Sequence, residues 1–535
     1  MSGGETIINA GWLLGLSALG IYIHAVFLSI TLGFPLVIIG LLWKYSKSGD
    51  EDYFKTAKIM TAVLAVNFAL GAISGTLVEF GLVQAWPGTI LAIASFAFAP
   101  LALELLAFAN EIATLVLFIV TLGRIRTSYS IAILAVYWIF AALSGVLIMS
   151  VNSWLVAPWG TGPIAKSIYP FMPEFGGLAA DAQKLVILKI LAIASGMPIQ
   201  AIIQNPEVAG KVGVILTDPY VAIFNPFAAI SALHALFAAF SVGVSIALLA
   251  FSLRYYTGGE KRNLKAAKVA SLVILVLFLI QPTILGHFMG EGVVEMNPTK
   301  FAMMENAKET FYNPMVALVA YGDPSRPIVG FDEFERQCNS LGDAELGDLA
   351  GQLGITMDAV IATAKQVGVK VGSEELQNAW NTELRQICLA DLKKAESRIA
   401  VVHAAYYTKI AFGVIGFVSA IALFAHFRKL PLLSSLVDRI LGRRAMLILP
   451  IGVFLGAAVP SVLGWYVREV GRKPWTVYGI LYPEELVTVV GYGRSFEFAV
   501  FMGVIIAAIA AFGMVSMYFV ATRGYRYLFR GDENE

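Results

Sequence analysis

The sequence predicts an all-α integral membrane protein of about nine transmembrane helices, with one long polar segment between the sixth and the seventh. Three observations carry that prediction. Of 535 residues, 58% are hydrophobic and only 14% charged, whereas a soluble domain carries about 25% charged residues. Apolar runs long enough to cross a bilayer, roughly 20 residues each, recur along the whole chain. The connections between them alternate between rich and poor in Lys and Arg. The mean hydropathy of +0.75 agrees. With 38 basic against 37 acidic residues, no field favours a nucleic-acid partner.

Taken in order, the apolar runs are 12–43, 58–84, 96–123, 128–153, 220–253, 269–289, 400–427, 445–467 and 498–522. The second and third contain acids but are otherwise apolar. Residues 12–43 are too long for a signal-peptide core and lack a basic leader and a cleavage site, so they read as the first span. Basic residues cluster at Lys44 and Lys47, at Arg124 and Arg126, and at Arg254, Lys261, Arg262 and Lys265. They cluster again at Arg428, Lys429, Arg439, Arg443 and Arg444, and at Arg523, Arg526 and Arg530. Alternate connections carry them, as an outside N-terminus and a cytoplasmic C-terminus require.

Two segments are predicted outside. Residues 154–219 include a semi-apolar stretch from Lys184 to Gln204, an interfacial helix or a tenth span interrupted by Gly196 and Pro198. Residues 290–398 form a polar loop with helical pieces such as 374–397, long enough to be functional. The chain's two cysteines, Cys338 and Cys388, both lie in that loop. They are either a disulfide or two free thiols; no CxxCH occurs, which excludes covalent c-type haem attachment.

Ionisable groups inside spans are costly and usually functional. His24, Glu79, Glu104, Glu111, His234, Lys409 and Glu469 fall at apparent membrane depth, with His287 and His426 near span ends. His24 and His234 read either as hydrogen-bonded core residues or as ligands, and a neutral imidazole suits iron. Glu104 and Glu111, seven residues apart, share a helix face and suit a proton path or buried pairing. Glu469 stands among Arg468, Arg472 and Lys473: an interfacial ion cluster, or a carboxylate beside a haem with the two latter cations near propionates. Trp465 and Trp475 read as interface anchors or as ring contacts of a cofactor. Lys300 and Glu305, just beyond the sixth span, are an ordinary surface pair or a base and acid able to bind and deprotonate a quinol.

Six motifs then converge. NFALGAISGTLVEF, APLALE, SVNSWLVAPWG, NPFAAISALHA, LGHFMGEGVVEMNPTKFAMMENAKET and EVGRKPWTVYG resemble, in order, signatures of subunit I of cytochrome bd-type quinol oxidases, a family written with GRQPW where this chain has GRKPW. The resemblance covers nearly all the spans and fails mainly in the two outside segments. It implies residues 1–289 as spans one to six, 290–398 as the extracytoplasmic quinol-binding loop and 399–535 as spans seven to nine.

The resemblance further implies three haems: a low-spin b haem, a high-spin b haem, and haem d or a third b-type haem. His24 and Glu469 would serve the high-spin pair and His234 the low-spin haem, with Trp465 on the electron path. Glu104 matches the first carboxylate of the family's proton route; the second is expected at Ile112, one position beyond Glu111. Lys300 and Glu305 match its quinol-binding residues. The implied activity is oxidation of a membrane quinol and reduction of dioxygen to water in the plasma membrane, in complex with a second membrane subunit. One departure stands out. The family's FRIMVG pattern reads TKIAFG, so Lys409 replaces an arginine and Ala411 a haem-ligating methionine. A degenerate subunit lacking the low-spin haem, and a secondary transporter, are the competing expectations.

Overall fold

The computed structural model describes residues 10–86, 97–178, 187, 191, 220–342, 351, 355–366, 370, 374–375, 384–486 and 492–524. Among these, nine helices are long and apolar enough to cross a membrane. They are span 1 (Ala10–Ser48), span 2 (Glu51–Ala85), span 3 (Phe98–Thr121), span 4 (Thr127–Val156), span 5 (Pro226–Gly258), span 6 (Lys261–Met296), span 7 (Ile399–Arg428), span 8 (Ala445–Val470) and span 9 (Tyr492–Phe519). The candidate interfacial helix at Lys184–Gln204 lies outside the described residues, apart from 187 and 191.

Several helices outrun the apolar runs that predicted them. Span 2 begins at Glu51, because Glu51 and Asp52 in its first turn complement the helix dipole. Lys265, at the start of span 6, binds Asp50 at 2.5 Å and Asp52 at 2.7 Å. Span 6 runs on to Met296, beyond residue 290 where the polar segment was expected to begin. It passes Pro282 through a π-helical turn, Gln281–Leu285, which accommodates the missing proline N–H. Span 5 opens on Asn225-Pro226: the Asn225 side chain accepts from Phe227 N at 2.9 Å, and proline occupies the position where a helix needs no N–H.

The spans pack through small residues, as expected where lipid supplies no hydrophobic drive between helices. A methyl added at Gly33 would lie 2.7 Å from Gly243 Cα, and one added at Gly416 would lie 2.7 Å from Gly456 Cα. Spans 1 and 5, and spans 7 and 8, therefore cross with their backbones in close contact. Leu105, Leu106, Val418, Val504 and Phe512 project from the outer surface. Exposed apolar side chains on fully hydrogen-bonded helices match a lipid surround.

One buried cluster fills the inter-span core, around Leu32, Phe118, Tyr137 and Phe278. A second joins the span ends to the polar segments through Trp154, Tyr169, Phe301 and Trp475. Here Thr161–Gly162 pairs antiparallel with Phe175–Leu178. Short helices Pro298–Met304, Pro314–Tyr321, Phe331–Asn339 and Leu384–Glu396 follow span 6. Cys338 and Cys388, both fully buried, form a disulfide with Cα atoms 5.7 Å apart, which decides between the two readings of the cysteines.

Candidate functional site

The densest polar cluster sits at the C-terminal end of span 8. Arg468 is buried and donates to Ser231 Oγ at 2.7 Å, to Ser153 Oγ at 3.3 Å and to Asn152 Oδ1. Glu469 accepts from Asn152 Nδ2 at 3.2 Å and is ion-paired with Arg472. Spans 4, 5 and 8 thus meet in one network. Arg472 is buried too, and its Nε and second terminal nitrogen have no hydrogen-bond partner among the described residues. Two such donors beside an ion pair form a cradle for a further anion, because leaving them unpaired costs about 1–3 kcal/mol each. Trp465 is half-buried, with the Arg468 guanidinium 5.8 Å from its ring.

The two span histidines are each presented differently. His24 Nδ1 lies 3.0 Å from Ser74 Oγ, whose own hydroxyl donates to Gly71 O at 3.0 Å. With the serine proton on Gly71, the hydrogen-bond pattern assigns Nδ1 as the donor of that contact and leaves the lone pair on Nε2. The ring lies over Gly75, where an added methyl would be 2.9 Å from Cε1. An imidazole fixed through one nitrogen, with the other unprotonated, is the form a metal-ligating histidine takes. Two residues earlier on the same span, the Tyr22 hydroxyl reaches Val462 O on span 8 at 3.4 Å, which brings the helix of His24 against that of Glu469. His234 Nδ1 is buried, with no hydrogen-bond partner within ordinary geometry among the described residues, although the ring stands close to the Leu285 backbone. Both histidines and Arg472 therefore fit a haem on its ligand and propionate sides. Glu469 engages both oxygens with protein groups and keeps one lone pair on each.

Lys409 lies within electrostatic reach of His234. Its stem runs under Gly464 of span 8, where an added methyl would be 3.7 Å from Cδ, and its amine stands 4.9 Å from the Tyr406 ring centroid. Ala411 is exposed; two residues on in a helix is about 160° around the axis.

On span 3, Glu104 accepts from Ser144 Oγ of span 4 at 2.8 Å. Glu111 is buried, whereas Ile112 is 40% exposed. The inward position is thus Glu111, although the family pattern places its carboxylate at 112. Seven residues return to the same face within about 20°, and eight overshoot it by about 80°. Glu79 is exposed, within electrostatic reach of Glu104.

Lys300 and Glu305 part company. Lys300 is 2% exposed. An added methyl on Gly471 would lie 2.7 Å from its Cγ, so the lysine packs beneath the GRKPW turn. Burial, reinforced by Arg468 and Arg472, holds its amine well below the usual lysine range. Glu305 ends the same short helix and accepts from the Tyr407 hydroxyl at 2.8 Å. Burial raises its carboxyl, and the Tyr407 bond partly offsets that. Lys473 is half-buried; burial, then Arg472, brings its amine down to about 8. Trp475 is wholly buried and its Nε1 donates to the Tyr169 hydroxyl, 3.2 Å away, so it is a core residue rather than an interface anchor.

Sequence reasoning passed over Asn152, Ser153 and Ser231, although SVNSWLVAPWG and NPFAAISALHA contain them. It also passed over Ser74, inside NFALGAISGTLVEF, and over Ser144 and Tyr407, which lie in none of the six motifs. The buried carboxylate Asp391 was missed as well; it accepts from Tyr169 at 2.6 Å, from Tyr482, and from Lys394 at 3.0 Å.

Among known proteins, the family model described as cytochrome bd terminal oxidase subunit I matches residues 16–525. The chain is 25% identical over 312 residues to the protein named "Putative cytochrome bd menaquinol oxidase subunit I" of Bacillus subtilis (strain 168), covering 57% of this chain and 60% of that one. It is 24% identical over 311 residues to the cytochrome bd-II ubiquinol oxidase subunit 1 of Escherichia coli (strain K12), covering 57% and 51%. These matches span less than two thirds of either relative's length. The fold aligns with a bd oxidase structure from Geobacillus thermodenitrificans at a TM-score of 0.64 and 16% identity, over 99% of this chain and all of the other. With the family model covering nearly every residue, the chain belongs to the cytochrome bd terminal oxidase subunit I family.

Proposed function

We propose that this chain is the haem-bearing catalytic subunit of a quinol oxidase, oxidising a membrane quinol and reducing dioxygen to water. The observation that carries the proposal is the Arg468–Glu469–Arg472 cluster, whose buried Arg472 keeps two donors without an acceptor among the described residues. Haem propionates are acceptors of the right charge for that cradle. His24 and Glu469 would hold the high-spin haems, a b haem and either haem d or a third b haem, and His234 the low-spin b haem. Bound there, haem supplies one-electron transfer and oxygen reduction. The chain's residues do the rest. Ser74 fixes the His24 tautomer, and Arg468 anchors spans 4 and 5 to span 8. Glu104 and Glu111 form a carboxylate pair on one face, suited to carrying protons from the cytoplasm. Glu305 accepts a quinol hydroxyl.

The Lys and Arg alternation supports a plasma-membrane protein with its N-terminus and the 290–398 segment outside and its C-terminus in the cytoplasm. The Cys338–Cys388 disulfide in that segment supports the same orientation, since disulfides persist on the oxidising side. A second membrane subunit is proposed as partner.

The test is a reduced-minus-oxidised spectrum with haem extraction on the purified complex, alongside oxygen uptake with decylubiquinol. Three haems and quinol-dependent uptake are expected, and protein without haem would overturn the reading. In a companion sample, Glu305→Ala is expected to slow quinol oxidation with haem content intact. Ala411 favours a second reading, a subunit lacking the low-spin haem, because alanine has no ligand atom. Two haems without a low-spin signal would select it.

A further inference from the structure

The motif resemblance assigns two residues to the quinol, Lys300 and Glu305, yet the fold separates them. Lys300 is sealed beneath Gly471, in the Arg468 and Arg472 cluster. A quinol head group has two hydroxyls, and Glu305 accounts for one. A second hydrogen-bonding group must stand near Glu305, half-exposed so that a membrane-soluble ligand can reach it.

Span 7 supplies such a group. His403 and Tyr407 are one helical turn apart, their ring centroids 4.7 Å from each other. The Tyr407 hydroxyl donates to Glu305 at 2.8 Å, and His403 Nδ1 lies 2.7 Å from the carbonyl of Met304, the residue before Glu305. A carbonyl only accepts, so Nδ1 carries the hydrogen, and Nε2 of the neutral ring is an acceptor. Nε2 has no hydrogen-bond partner among the described residues. Glu305 and His403 are half-buried and Tyr407 is 42% exposed, so the cluster opens to the surface. The Tyr321 ring, stacked 4.2 Å from the Arg326 guanidinium, lies within electrostatic reach of Glu305.

We propose that His403 and Glu305 together hold a quinol head group, His403 Nε2 accepting one hydroxyl, Glu305 the other, and Tyr407 positioning the carboxylate; this rests on the quinol-oxidase reading. The same geometry lets the first hydroxyl lose its proton to the histidine. The O–H bond breaks, an N–H bond forms at Nε2, and the electron pair stays on the oxygen, leaving a quinolate opposite an imidazolium. No electron leaves the head group in that step. His403 thus takes the place that Lys300 was expected to fill.

The test is equilibrium dialysis of decylubiquinol, and separately menadiol, against the complete complex, held reduced under argon so that the quinol is not consumed. His403→Ala is expected to raise Kd about tenfold, the loss of one hydrogen bond. Added imidazole restores binding, and Tyr407→Phe raises Kd by a smaller factor. His403→Gln keeps an acceptor oxygen and is expected to stay within about threefold of wild type. Haem content and oxidation of tetramethyl-p-phenylenediamine, which bypasses the quinol, are expected to stay unchanged in all three variants. A wild-type Kd in His403→Ala would overturn the proposal. So would loss of phenylenediamine oxidation in both His403 variants, which would make the residue structural. Wild-type complex that oxidises phenylenediamine but binds neither quinol would overturn the quinol reading itself.

Discussion

The Ser144 hydroxyl donates to the Glu104 carboxylate at 2.8 Å, a bond from span 4 to span 3 inside two otherwise apolar runs. A side-chain hydrogen bond of this kind is worth about 0.5–1.5 kcal/mol net. Ser144→Ala is therefore expected to lower the melting temperature of the complex and slow oxygen uptake by a few-fold. Glu111→Gln removes a buried carboxylate on the same face. It is expected to slow uptake about a hundredfold at unchanged haem content, the scale of a lost acid–base group. A Glu111→Gln protein respiring at the wild-type rate would remove span 3 from the proton route.

Ser74 and His24 give a second prediction. His24→Ala is expected to lose one haem per chain and His234→Ala the low-spin b signal, both counted by haem extraction. Ser74→Ala leaves the ligand but frees its ring, and outer-shell losses of this kind weaken metal binding 10–100-fold or about that. Haem retention on dilution would measure it. Full retention in Ser74→Ala would mean that Gly75 packing alone orients the ring.

Arg472, which is buried, is ion-paired with the half-buried Glu469. Removing one partner of a fully buried pair commonly costs about 3–5 kcal/mol, because the remaining charge is stranded, and solvent at Glu469 lowers that cost here. Arg472→Gln is expected to destabilise the complex by less than that, read by thermal unfolding in detergent, and to lower haem content. The double variant Arg472→Gln with Glu469→Gln is expected to recover part of the stability, since no charge is then stranded. If the double variant were no more stable than the single one, the pair would not be energetically coupled.

Lys473 sets a pH dependence. Burial and Arg472 bring its amine down to about 8 in the fold, against about 10.4 for an unfolded lysine. Between those values the unfolded chain binds more protons than the folded one, so this residue makes stability rise with pH across that window. Below it both states are charged and the residue contributes no slope. Lys473→Gln, the residue of the family's GRQPW, is expected to flatten the rise between pH 8 and 10, measured as melting temperature against pH. An identical profile in the variant would refute the assignment.

The membrane class, the spans and their order were legible because bilayer thickness and the absence of water impose length and composition on every helix. The six motifs were legible for the same local reason, each being carried by one stretch of chain. Their mutual contacts were not. Lys300 and Glu305 read as one base–acid pair because they are close in sequence. Five residues along a helix is about 140° around its axis, so the fold sends one to span 8 and the other to span 7. His403 and Tyr407 belong to none of the six motifs. Their meaning comes from Met304 and Glu305, about a hundred residues away in the chain.

The sequence by itself determined that this chain is a multi-span membrane protein with histidines and carboxylates at membrane depth, because hydropathy, helix period and charge asymmetry are local quantities. Only the tertiary structure decided which of those residues share a site: that Asn152, Ser153 and Ser231 close around Arg468, that Glu111 rather than position 112 faces inward, and that the two cysteines are joined. The reason is geometric. A hydrogen bond or an ion pair needs atoms within about 3 Å, and which distant segments come that close depends on helix rotation and crossing, set by small residues such as Gly33, Gly243, Gly416 and Gly456 where the helices touch.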